Sequence, residues 1–356
     1  MSQVLTVLCP GETAPERFVR TLESALEGRR SQVQSRLEGP LEGRRVLFAV
    51  SLDESGVNPE FYTLLAQLRT HPGCLRGCVG GVLVDGSGDL YTKSAGRELV
   101  LAANLAGCAF PGRSLVEASG DLRNFTVQAK NAGCSLEEAY RRAAADLAGR
   151  VLDFAPPRHR RPSLLVLHAS SHRTSNTLAL WSRCRERLET SCVITEIGLR
   201  NGTLADCAGC PYTTCLHFGE RGDCFYGGVM VEEVYPAIRA ADGVVLLCPN
   251  YNDALPANLT AAVNRLTALY RAGPFENTAV FAVVVSGYSG GDIVASQVVS
   301  ALNMNKGFWL PPGFCMLETA NDAGTAVRLP GIEERLEAFS GNILDQLLDV
   351  AKLSEN

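Results

Sequence analysis

Short apolar runs alternate with amphipathic stretches along the chain. The runs LLVLHAS, GVVLLCPNY and AVFAVVVSG continue without polar alternation and end in small or polar residues. After GVVLLCPNY, apolar residues recur at helical spacing, at Leu259, Val263, Leu266 and Tyr270. Unbroken apolar strands separated by amphipathic helices are typical of parallel sheets that are covered on both faces. The pattern therefore predicts an α/β protein.

The pattern occurs twice, at an offset of about two hundred residues, which is typical of a duplicated domain. GGVLVDG aligns with FAVVVSG, and FPGRSLVE aligns with PPGFCMLE. Each copy ends in a long amphipathic helix, and each should hold a first strand, near residues 4–8 and 164–168, and about four more. We predict two flavodoxin-like, doubly wound parallel-sheet domains in tandem, each with three layers, α/β/α.

The predicted boundary is the stretch APPRHRRP, which combines prolines and basic residues between a helix and a strand. It divides the chain into residues 1–155 and 163–356. The two halves differ before their third strand. The C-terminal half has the strand CVITEIG and a cysteine-rich loop at 206–224, whereas the N-terminal half has only a short segment rich in Arg and Glu. We expect the N-terminal half to lack this strand and loop.

Composition and charge narrow the function classes. The chain is 46% hydrophobic and 20% charged, with a formal net charge of −5 and a pI of about 5.7. A mildly acidic surface argues against nucleic acid as the main partner. No apolar run is long enough for a membrane span, and the first residues lack a signal-peptide pattern. We therefore expect a cytoplasmic protein whose thirteen cysteines are thiols or metal ligands rather than disulfides.

The turn ASSHRTSNT, after the strand LLVLH, should open the first helix of the C-terminal half. Unpaired N–H groups and the helix dipole favour a phosphate at such a position. A well-capped helix without a ligand would use similar residues. The equivalent N-terminal turn carries Glu12 and Glu16, so we expect no phosphate there. The candidate phosphate donors are Ser171, Arg173, Ser175, Asn176 and Thr177.

Four cysteines in the loop 206–224 follow the spacing C-x2-C-x4-C-x8-C. Two thiolates separated by two residues are a common local clasp for iron or zinc, and a tetrahedral site can take two more from the same loop. Three interpretations remain open: a [4Fe–4S] cluster, a group of free or redox-active thiols, and a structural zinc. The candidate ligands are Cys207, Cys210, Cys215 and Cys224.

These motifs together resemble a known family. SSHRTSNT resembles the S-x-R-x-x-S-N-T-type loop of the NADPH-dependent FMN reductases, with one residue fewer between Arg173 and Ser175. CPNYNDALPANLTAAVNR resembles the second flavin segment of that group, and CAGC…C…C resembles the cysteine segment of iron–sulfur flavoproteins, with a wider spacing of the last two cysteines. The resemblance covers residues 163 to about 353.

The resemblance implies an FMN-dependent oxidoreductase in which NAD(P)H is the co-substrate and the flavin performs the chemistry, so no catalytic side chain is expected. The electrons would pass to a small-molecule or protein acceptor, with the metal at the four cysteines as a candidate relay. The alternatives are an electron carrier or binding module without nicotinamide activity, and a zinc-stabilised scaffold without flavin. We expect no membrane or nucleic-acid partner, and either a homo-oligomer or a pseudo-dimer within the chain. The resemblance places the flavin phosphate on Ser171, Arg173, Ser175, Asn176 and Thr177, and the rest of the flavin beside Pro249, Asn250, Tyr251, Asn252, Ala254, Ser286, Gly287 and Gly290.

Overall fold

The computed structural model describes residues 3–11, 14–170 and 175–349. The chain forms two compact units, Met1–Ala155 and Pro156–Asn356, called here the N-terminal unit and the C-terminal unit. Each unit is built around a parallel sheet with helices packed against it. Among the described residues, no helix has both the length and the apolar character needed to cross a membrane.

In the described part of the N-terminal unit, five parallel strands pair in the order β2-β1-β3-β4-β5. The strands are β1 (Leu5–Leu8), β2 (Ser31–Gln34), β3 (Arg45–Leu52), β4 (Val79–Gly86) and β5 (Leu115–Ala118). The helices are α1 (Glu16–Leu26), α2 (Pro59–Thr70), α3 (Thr92–Leu105), α4 (Thr126–Ala132) and α5 (Leu136–Asp153).

In the described part of the C-terminal unit, five parallel strands pair in the order β10-β9-β8-β6-β7. The strands are β6 (Ser163–His168), β7 (Val193–Gly198), β8 (Gly243–Pro249), β9 (Ala279–Ser286) and β10 (Cys315–Thr319). The helices are α6 (Asn176–Leu188), α7 (Tyr212–Gly219), α8 (Tyr235–Ala240), α9 (Ala257–Ala272), α10 (Gly291–Val298) and α11 (Ile332–Leu347). Two π-helical segments, Met230–Val234 and Val299–Met304, adjoin α8 and α10.

Both sheets have the flavodoxin-like strand order 2-1-3-4-5 when the strands are numbered within each unit. This confirms the predicted fold class, with two α/β units in tandem. In such a sheet the strand order reverses between the first and third strands, and ligands bind beyond the carboxyl ends of the strands at that switch point. In the C-terminal unit the switch point lies between β6 and β8.

The apolar residues of the predicted strands and helices form the cores of the two units. All eight residues of β4 and of β9 are buried, as expected for strands covered on both faces. The residues of α11 that recur at helical spacing, including Leu336, Phe339 and Ile343, are buried as well. Phe339 packs edge-on against Phe281 of β9, with ring centroids 6.3 Å apart. Burial of each such side chain contributes about 1.5–3 kcal/mol.

One sequence-based expectation about the N-terminal unit was wrong. Its sheet does contain the second strand, because β2 pairs with β1 from Leu5↔Ser31 to Leu8↔Gln34. The strand reads SQVQ and alternates between exposed and partly buried positions at the sheet edge, so it lacks an apolar run. The units do differ in the next connection. Residues 35–44 join β2 to β3 without a helix, whereas residues 199–242 hold the cysteine loop, α7, a π-helical segment and α8.

Candidate functional site

The beginning of α6 presents a cluster of hydroxyl groups at the switch point. Ser175 is the N-cap residue of α6, and its Oγ accepts a hydrogen bond from Leu178 N at 3.4 Å. The same oxygen lies 3.1 Å from Ser170 Oγ and 3.0 Å from Thr177 Oγ1. Of the five candidate phosphate donors, Ser171 and Arg173 lie outside the described residues. The other three border one cavity, described below.

Asn176 is already engaged within the protein. Its Nδ2 donates to Ala320 O at 3.1 Å and to Asp322 O at 3.0 Å, and its Oδ1 accepts from Ala326 N at 3.1 Å. These bonds tie the start of α6 to the segment that follows β10. Since both amide hydrogens have acceptors, this side chain has no free donor for a ligand.

Asn250 joins the ends of β8 and β9. Its Nδ2 lies 3.1 Å from Ser286 Oγ and 3.0 Å from Ser289 O, and its main-chain N donates to Val285 O at 2.8 Å. Its Oδ1 is buried and has no hydrogen-bond partner among the described residues. A buried acceptor without a partner costs about 1–3 kcal/mol. Asn250 lines the switch-point cavity, and its buried Oδ1 is an unused acceptor beside it.

The turn after Asn250 is held in a restricted backbone conformation. Asn252 and Asp253 have φ values of 54° and 57°, in the left-handed region, and Tyr251 forms a β-bridge with Ala254. Gln297 of α10 fixes the turn, because its Nε2 donates to Asp253 O at 2.9 Å. The Tyr251 side chain is 62% exposed. The turn thus places Tyr251 at the open edge of the site.

These elements enclose a cavity of about 600 Å³ at the carboxyl ends of β6, β8 and β9, called here the switch-point cavity. Seven predicted site residues line it: Ser175, Asn176, Thr177, Pro249, Asn250, Tyr251 and Gly287. Asn252, Ala254, Ser286 and Gly290 do not line it; they belong to the turn and strand end that support it. The lining residues that the sequence interpretation missed are Ala169, Ser170, Asn201, Pro256, Ala257, Asn258, Val285, Ala320, Asn321 and Ala323.

A second helix also begins at the switch-point cavity. Pro256 and the first two residues of α9, Ala257 and Asn258, line the wall, and α9 has no side-chain cap. Asn258 Nδ2 instead donates to Leu199 O at 2.7 Å and to Asn201 Oδ1 at 3.0 Å, which joins α9 to the end of β7. Two helix N-termini therefore present N–H groups and positive dipole ends to one cavity, a favourable setting for an anion.

Residues 162–322 match the family model described as NADPH-dependent FMN reductase. The C-terminal unit resembles the NADPH-dependent FMN reductases. The match begins just before β6 and ends after β10, so it contains the lining residues of the switch-point cavity except Ala323. It supports an oxidoreductase enzyme and flavin-dependent oxidoreduction. The predicted repeat in the N-terminal half has no such match and rests on the shared strand order.

Solved structures with a similar fold cover about half of the chain. RosB with the bound intermediate 8-demethyl-8-formylriboflavin-5'-phosphate is 13% identical, over 52% of this chain and 80% of that chain, with a TM-score of 0.40. A putative quinone reductase from Klebsiella pneumoniae is 15% identical, over 53% and 87%, with a TM-score of 0.37. An NAD(P)H:quinone oxidoreductase from Methanothermobacter marburgensis is 14% identical, over 52% and 96%, with a TM-score of 0.37. No curated protein matches the sequence. Because these similarities are so low, no property of these proteins is assigned to the FMN reductase-like unit.

His168 ends β6 beside the site of the FMN reductase-like unit. Its Nδ1 lies 3.1 Å from Ser170 O, so a proton on Nδ1 would be donated to that carbonyl. Burial lowers the pKa of His168 below its usual range. The ring is therefore neutral near pH 7 and adds no positive charge for a phosphate.

All four cysteines of the loop 206–224 line a second cavity of about 280 Å³, called here the cysteine cavity. Asp206 Oδ1 accepts from Cys207 N at 2.6 Å and from Asn264 Nδ2 of α9 at 2.9 Å, which joins the start of the loop to α9. At the other end, Asp223 Oδ1 accepts from Cys224 N at 2.6 Å. The four thiols are free, and no three potential ligands among the described residues are arranged to hold one metal ion. Metal binding would therefore require these side chains to rotate towards a common point.

Basic side chains surround the cysteine cavity. Arg265 of α9 is 3% exposed, and its Nη2 donates to Gly227 O at 2.7 Å. Arg271 stacks over the Tyr212 ring, with its Cζ 4.5 Å from the centroid. The Nε atoms of both arginines are buried and have no hydrogen-bond partner in the part of the chain that the structure describes. Lys306 lies in an adjoining cavity with Cys207, and burial lowers its pKa. The sequence interpretation assigned no role to these cations, although Arg265 ends the segment CPNYNDALPANLTAAVNR that resembles the second flavin segment.

The equivalent edge of the N-terminal unit is closed by an ion pair. Arg17 of α1 donates from Nη2 to Asp85 Oδ1 at 2.6 Å and from Nε to Asp85 Oδ2 at 3.1 Å. Arg17 also donates to Gly120 O at 2.7 Å and to Gly86 O at 3.1 Å. Asp85, near the end of β4, is 1% exposed. In strand and helix positions Arg17 corresponds to Thr177 and Asp85 to Val285, two residues that line the switch-point cavity.

Proposed function

We propose that the C-terminal unit binds FMN in the switch-point cavity and uses it to transfer electrons from NAD(P)H to an acceptor. The observation that carries this proposal is the cavity itself, at a doubly wound switch point where α6 and α9 both begin. Its volume of about 600 Å³ lies within the usual range for cofactor sites. Bound FMN would supply the hydride and single-electron chemistry, while the protein binds and orients it.

The phosphate end is assigned to the start of α6. The hydroxyls of Ser175 and Thr177 and the main-chain N–H groups of the first helical turn are the donors that support this assignment. Asn176 contributes through its main chain, since its side chain holds the segment after β10. Ser171 and Arg173 complete the proposed phosphate site, where the guanidinium would add a bidentate contact.

The ring end is assigned to the segments after β8 and β9. The free Oδ1 of Asn250 can accept a hydrogen bond from a flavin N–H group, which would satisfy a buried acceptor. Gly287 lets the main chain approach a ligand closely. Tyr251, which is 62% exposed, stands where one ring face would be accessible to a nicotinamide or an acceptor.

We further propose that the four cysteines would hold a [4Fe–4S] centre once their side chains turn towards a common point, and that such a centre would supply single-electron chemistry. The thiols line one cavity, and thiolate is the donor that iron–sulfur clusters use. One helix links the two sites, because Asn258 of α9 lines the switch-point cavity and Asn264 lines the cysteine cavity. Six helical residues separate them, or about 9 Å along the axis.

We infer that the N-terminal unit acts without a flavin. The Arg17–Asp85 pair occupies the position that corresponds to the wall of the switch-point cavity. A flavin there would have to break a charge-assisted, largely buried pair, which costs about 3–5 kcal/mol.

The test is FMN affinity and turnover of the full chain. Thr177→Val keeps the shape of a buried side chain and removes one hydroxyl, so we expect FMN to bind about tenfold more weakly, in line with the loss of a hydrogen bond to a charged group. Thr195→Val, at an exposed position of β7, is the matched control and should bind FMN like the unmodified protein. Fluorescence titration measures both dissociation constants.

The absorbance of the FMN-loaded protein then distinguishes the oxidoreductase from the alternative functions. Bleaching of the flavin band by NAD(P)H under anaerobic conditions supports the oxidoreductase. A flavin band that NAD(P)H leaves unchanged indicates an electron carrier instead. A protein that binds no FMN refutes the proposal, and zinc in such a protein would indicate a structural scaffold.

A further inference from the structure

The cavity that adjoins the cysteine cavity has a volume of about 720 Å³ and is lined by two cations. It lies between α9 and the segment that follows α10, and it is called here the Lys306 cavity. The cations are Arg271, in the last turn of α9, and Lys306, two residues after the π-helical segment Val299–Met304. No Asp or Glu is among its described lining residues. The cavity therefore offers positive charge without an acidic side chain in its wall.

The guanidinium of Arg271 is held in place but donates no hydrogen bond to the described residues. Its Cζ lies 4.5 Å from the centroid of the Tyr212 ring of α7, and its Nε is buried without a partner among those residues. The side chain as a whole is partly exposed. A guanidinium presents five N–H donors in a planar fork that matches the oxygens of a phosphate or carboxylate. Arg271 thus brings an oriented set of unused donors to the Lys306 cavity.

Lys306 is partly buried beside this guanidinium. Its Nζ donates to Thr267 Oγ1 at 2.7 Å and lies 6.0 Å from the centroid of the Tyr270 ring. Burial lowers the pKa of Lys306; the charges of Cys207 and Cys215 oppose this shift, and that of Arg271 adds to it. No described carboxylate is among the groups that influence it. An anion placed beside a desolvated ammonium would favour its charged form.

The carboxylates of the cysteine loop lie outside this wall. Asp223 lines the cysteine cavity, where its Oδ1 accepts from Cys224 N. Asp206 Oδ1 accepts from Cys207 N and from Asn264 Nδ2. Among the described residues, neither carboxylate forms an ion pair with Arg271 or Lys306. A negative charge that neutralises both cations would therefore come from a ligand.

A phosphate group matches the donors of the Lys306 cavity. A phosphate monoester carries between one and two negative charges near pH 7, which two cations balance. Arginine binds its oxygens bidentately, and lysine adds a compact point charge. Thr267 adds a third donor, because its Oγ1 accepts from Lys306 while its hydroxyl hydrogen has no acceptor among the described residues.

We propose that the Lys306 cavity binds a phosphate group of a small molecule through Arg271, Lys306 and the hydroxyl of Thr267. The site is separate from the proposed flavin site, because thirteen residues of α9, or about 20 Å along its axis, separate Asn258 from Arg271. The phosphate has two possible sources. One is a phosphate ester that binds here by itself. The other is the 2′-phosphate of NADPH, and this source alone rests on the proposed function.

The experiment titrates inorganic phosphate into the full chain at constant ionic strength and measures the dissociation constant by calorimetry. Saturating FMN occupies the proposed phosphate position at α6, so that the remaining binding reports on the Lys306 cavity. We expect R271Q and K306Q each to weaken phosphate binding at least tenfold. R271K keeps the charge but loses the planar fork, so its affinity should lie between those of R271Q and the unmodified chain.

Two matched controls remove a cation elsewhere and should bind phosphate like the unmodified chain. K130Q changes an exposed lysine of α4, and R187Q changes an arginine of α6 that pairs with Glu333 at the surface. The titrations are repeated without FMN, where the part of the binding that depends on Arg271 should persist. A chain that binds no flavin therefore loses the proposed function and still tests this inference.

Steady-state kinetics with NADPH and NADH distinguish the two sources of the phosphate. If the 2′-phosphate of NADPH binds in the Lys306 cavity, R271Q and K306Q should raise the KM for NADPH at least tenfold without a matching rise for NADH. If both KM values stay unchanged while inorganic phosphate binding is lost, the ligand is a separate phosphate ester. Both results support the site, and they differ only in the molecule that carries the phosphate.

Equal phosphate affinity in R271Q, K306Q and the unmodified chain, with and without FMN, would overturn the inference. So would an unmodified chain that binds no phosphate under either condition. Arg271 would then serve only to stabilise the last turn of α9 and the contact with Tyr212. In that case R271Q would lower the unfolding temperature equally in the presence and absence of phosphate, whereas a phosphate site predicts a larger loss when phosphate is present.

Discussion

Gly290 illustrates how one residue supports the switch-point cavity without lining it. Its φ is 81°, and a Cβ built there would lie 2.0 Å from Asp253 Oδ1 and 3.0 Å from Asn250 Nδ2. A side chain at this position would therefore strain the backbone and push Asn250 away from its bonds to the end of β9. Glycine here is required by the conformation of the chain and by the space beside Asn250.

We predict that Gly290→Ala destabilises the protein by about 2 kcal/mol, through the left-handed backbone and the displaced neighbours. It should also weaken FMN binding, since Asn250 moves. The matched control is Gly341→Ala in the interior of α11, where a Cβ meets no atom within 4 Å. That substitution should stabilise the helix by about 0.5–1 kcal/mol. Urea unfolding measures the free energy of unfolding of both variants. A change of the same sign in both would contradict the structural explanation.

At the scale of elements, the sequence predicted the strands whose burial is complete. β4, β8 and β9 are almost wholly buried and are apolar except near their carboxyl ends, because both faces are covered, so a run of apolar letters identified them. β2 was not predicted, because an edge strand with partly exposed faces contains no run of apolar residues. The first turn of α6 was predicted as a helix start and the stretch of α9 as a helix. That Asn176 and Asn258 use their amides to join distant segments was not predicted. Partners that distant in sequence leave no local pattern.

The ion pair between α1 and β4 makes the corresponding edge of the N-terminal unit testable. Asp85→Asn leaves Arg17 with a neutral partner at a buried position, so we expect a loss of about 3 kcal/mol in the stability of this unit. Arg69→Gln, which removes an exposed ion pair with Glu98 in the same unit, should cost at most about 1 kcal/mol. Hydrogen exchange of the β4 amides reports the change locally. A loss in the Asp85 variant no larger than that in the control would show that the pair does not hold this edge.

For the molecule as a whole, the sequence identified two copies of one architecture and the half in which the chemistry should be sought. The hydroxyl-rich turn and the segment after β8 come together at one cavity, as the order of strands requires. The cations around the cysteine cavity could not be predicted in the same way. Arg265, Arg271 and Lys306 meet only after α9 and the π-helical segment after α10 have packed, and each looks locally like an ordinary helical residue.

The two units should differ in their response to FMN, although they share a strand order. In the C-terminal unit, we expect FMN to slow amide exchange in the segments that border the switch-point cavity, at residues 175–178, 249–258, 285–291 and 320–326. The physical reason is linkage: a ligand at one hundred times its dissociation constant stabilises the folded site by about 2.7 kcal/mol, and openings that disrupt the site are suppressed accordingly. The corresponding N-terminal segments, at residues 14–18, 52–59, 86–92 and 118–125, should exchange at unchanged rates, because Arg17 and Asp85 already occupy that edge. Protection of both sets of segments would mean that a flavin displaces the ion pair. Protection of neither set, at FMN concentrations that saturate a flavin reductase, would show that FMN does not bind in the switch-point cavity.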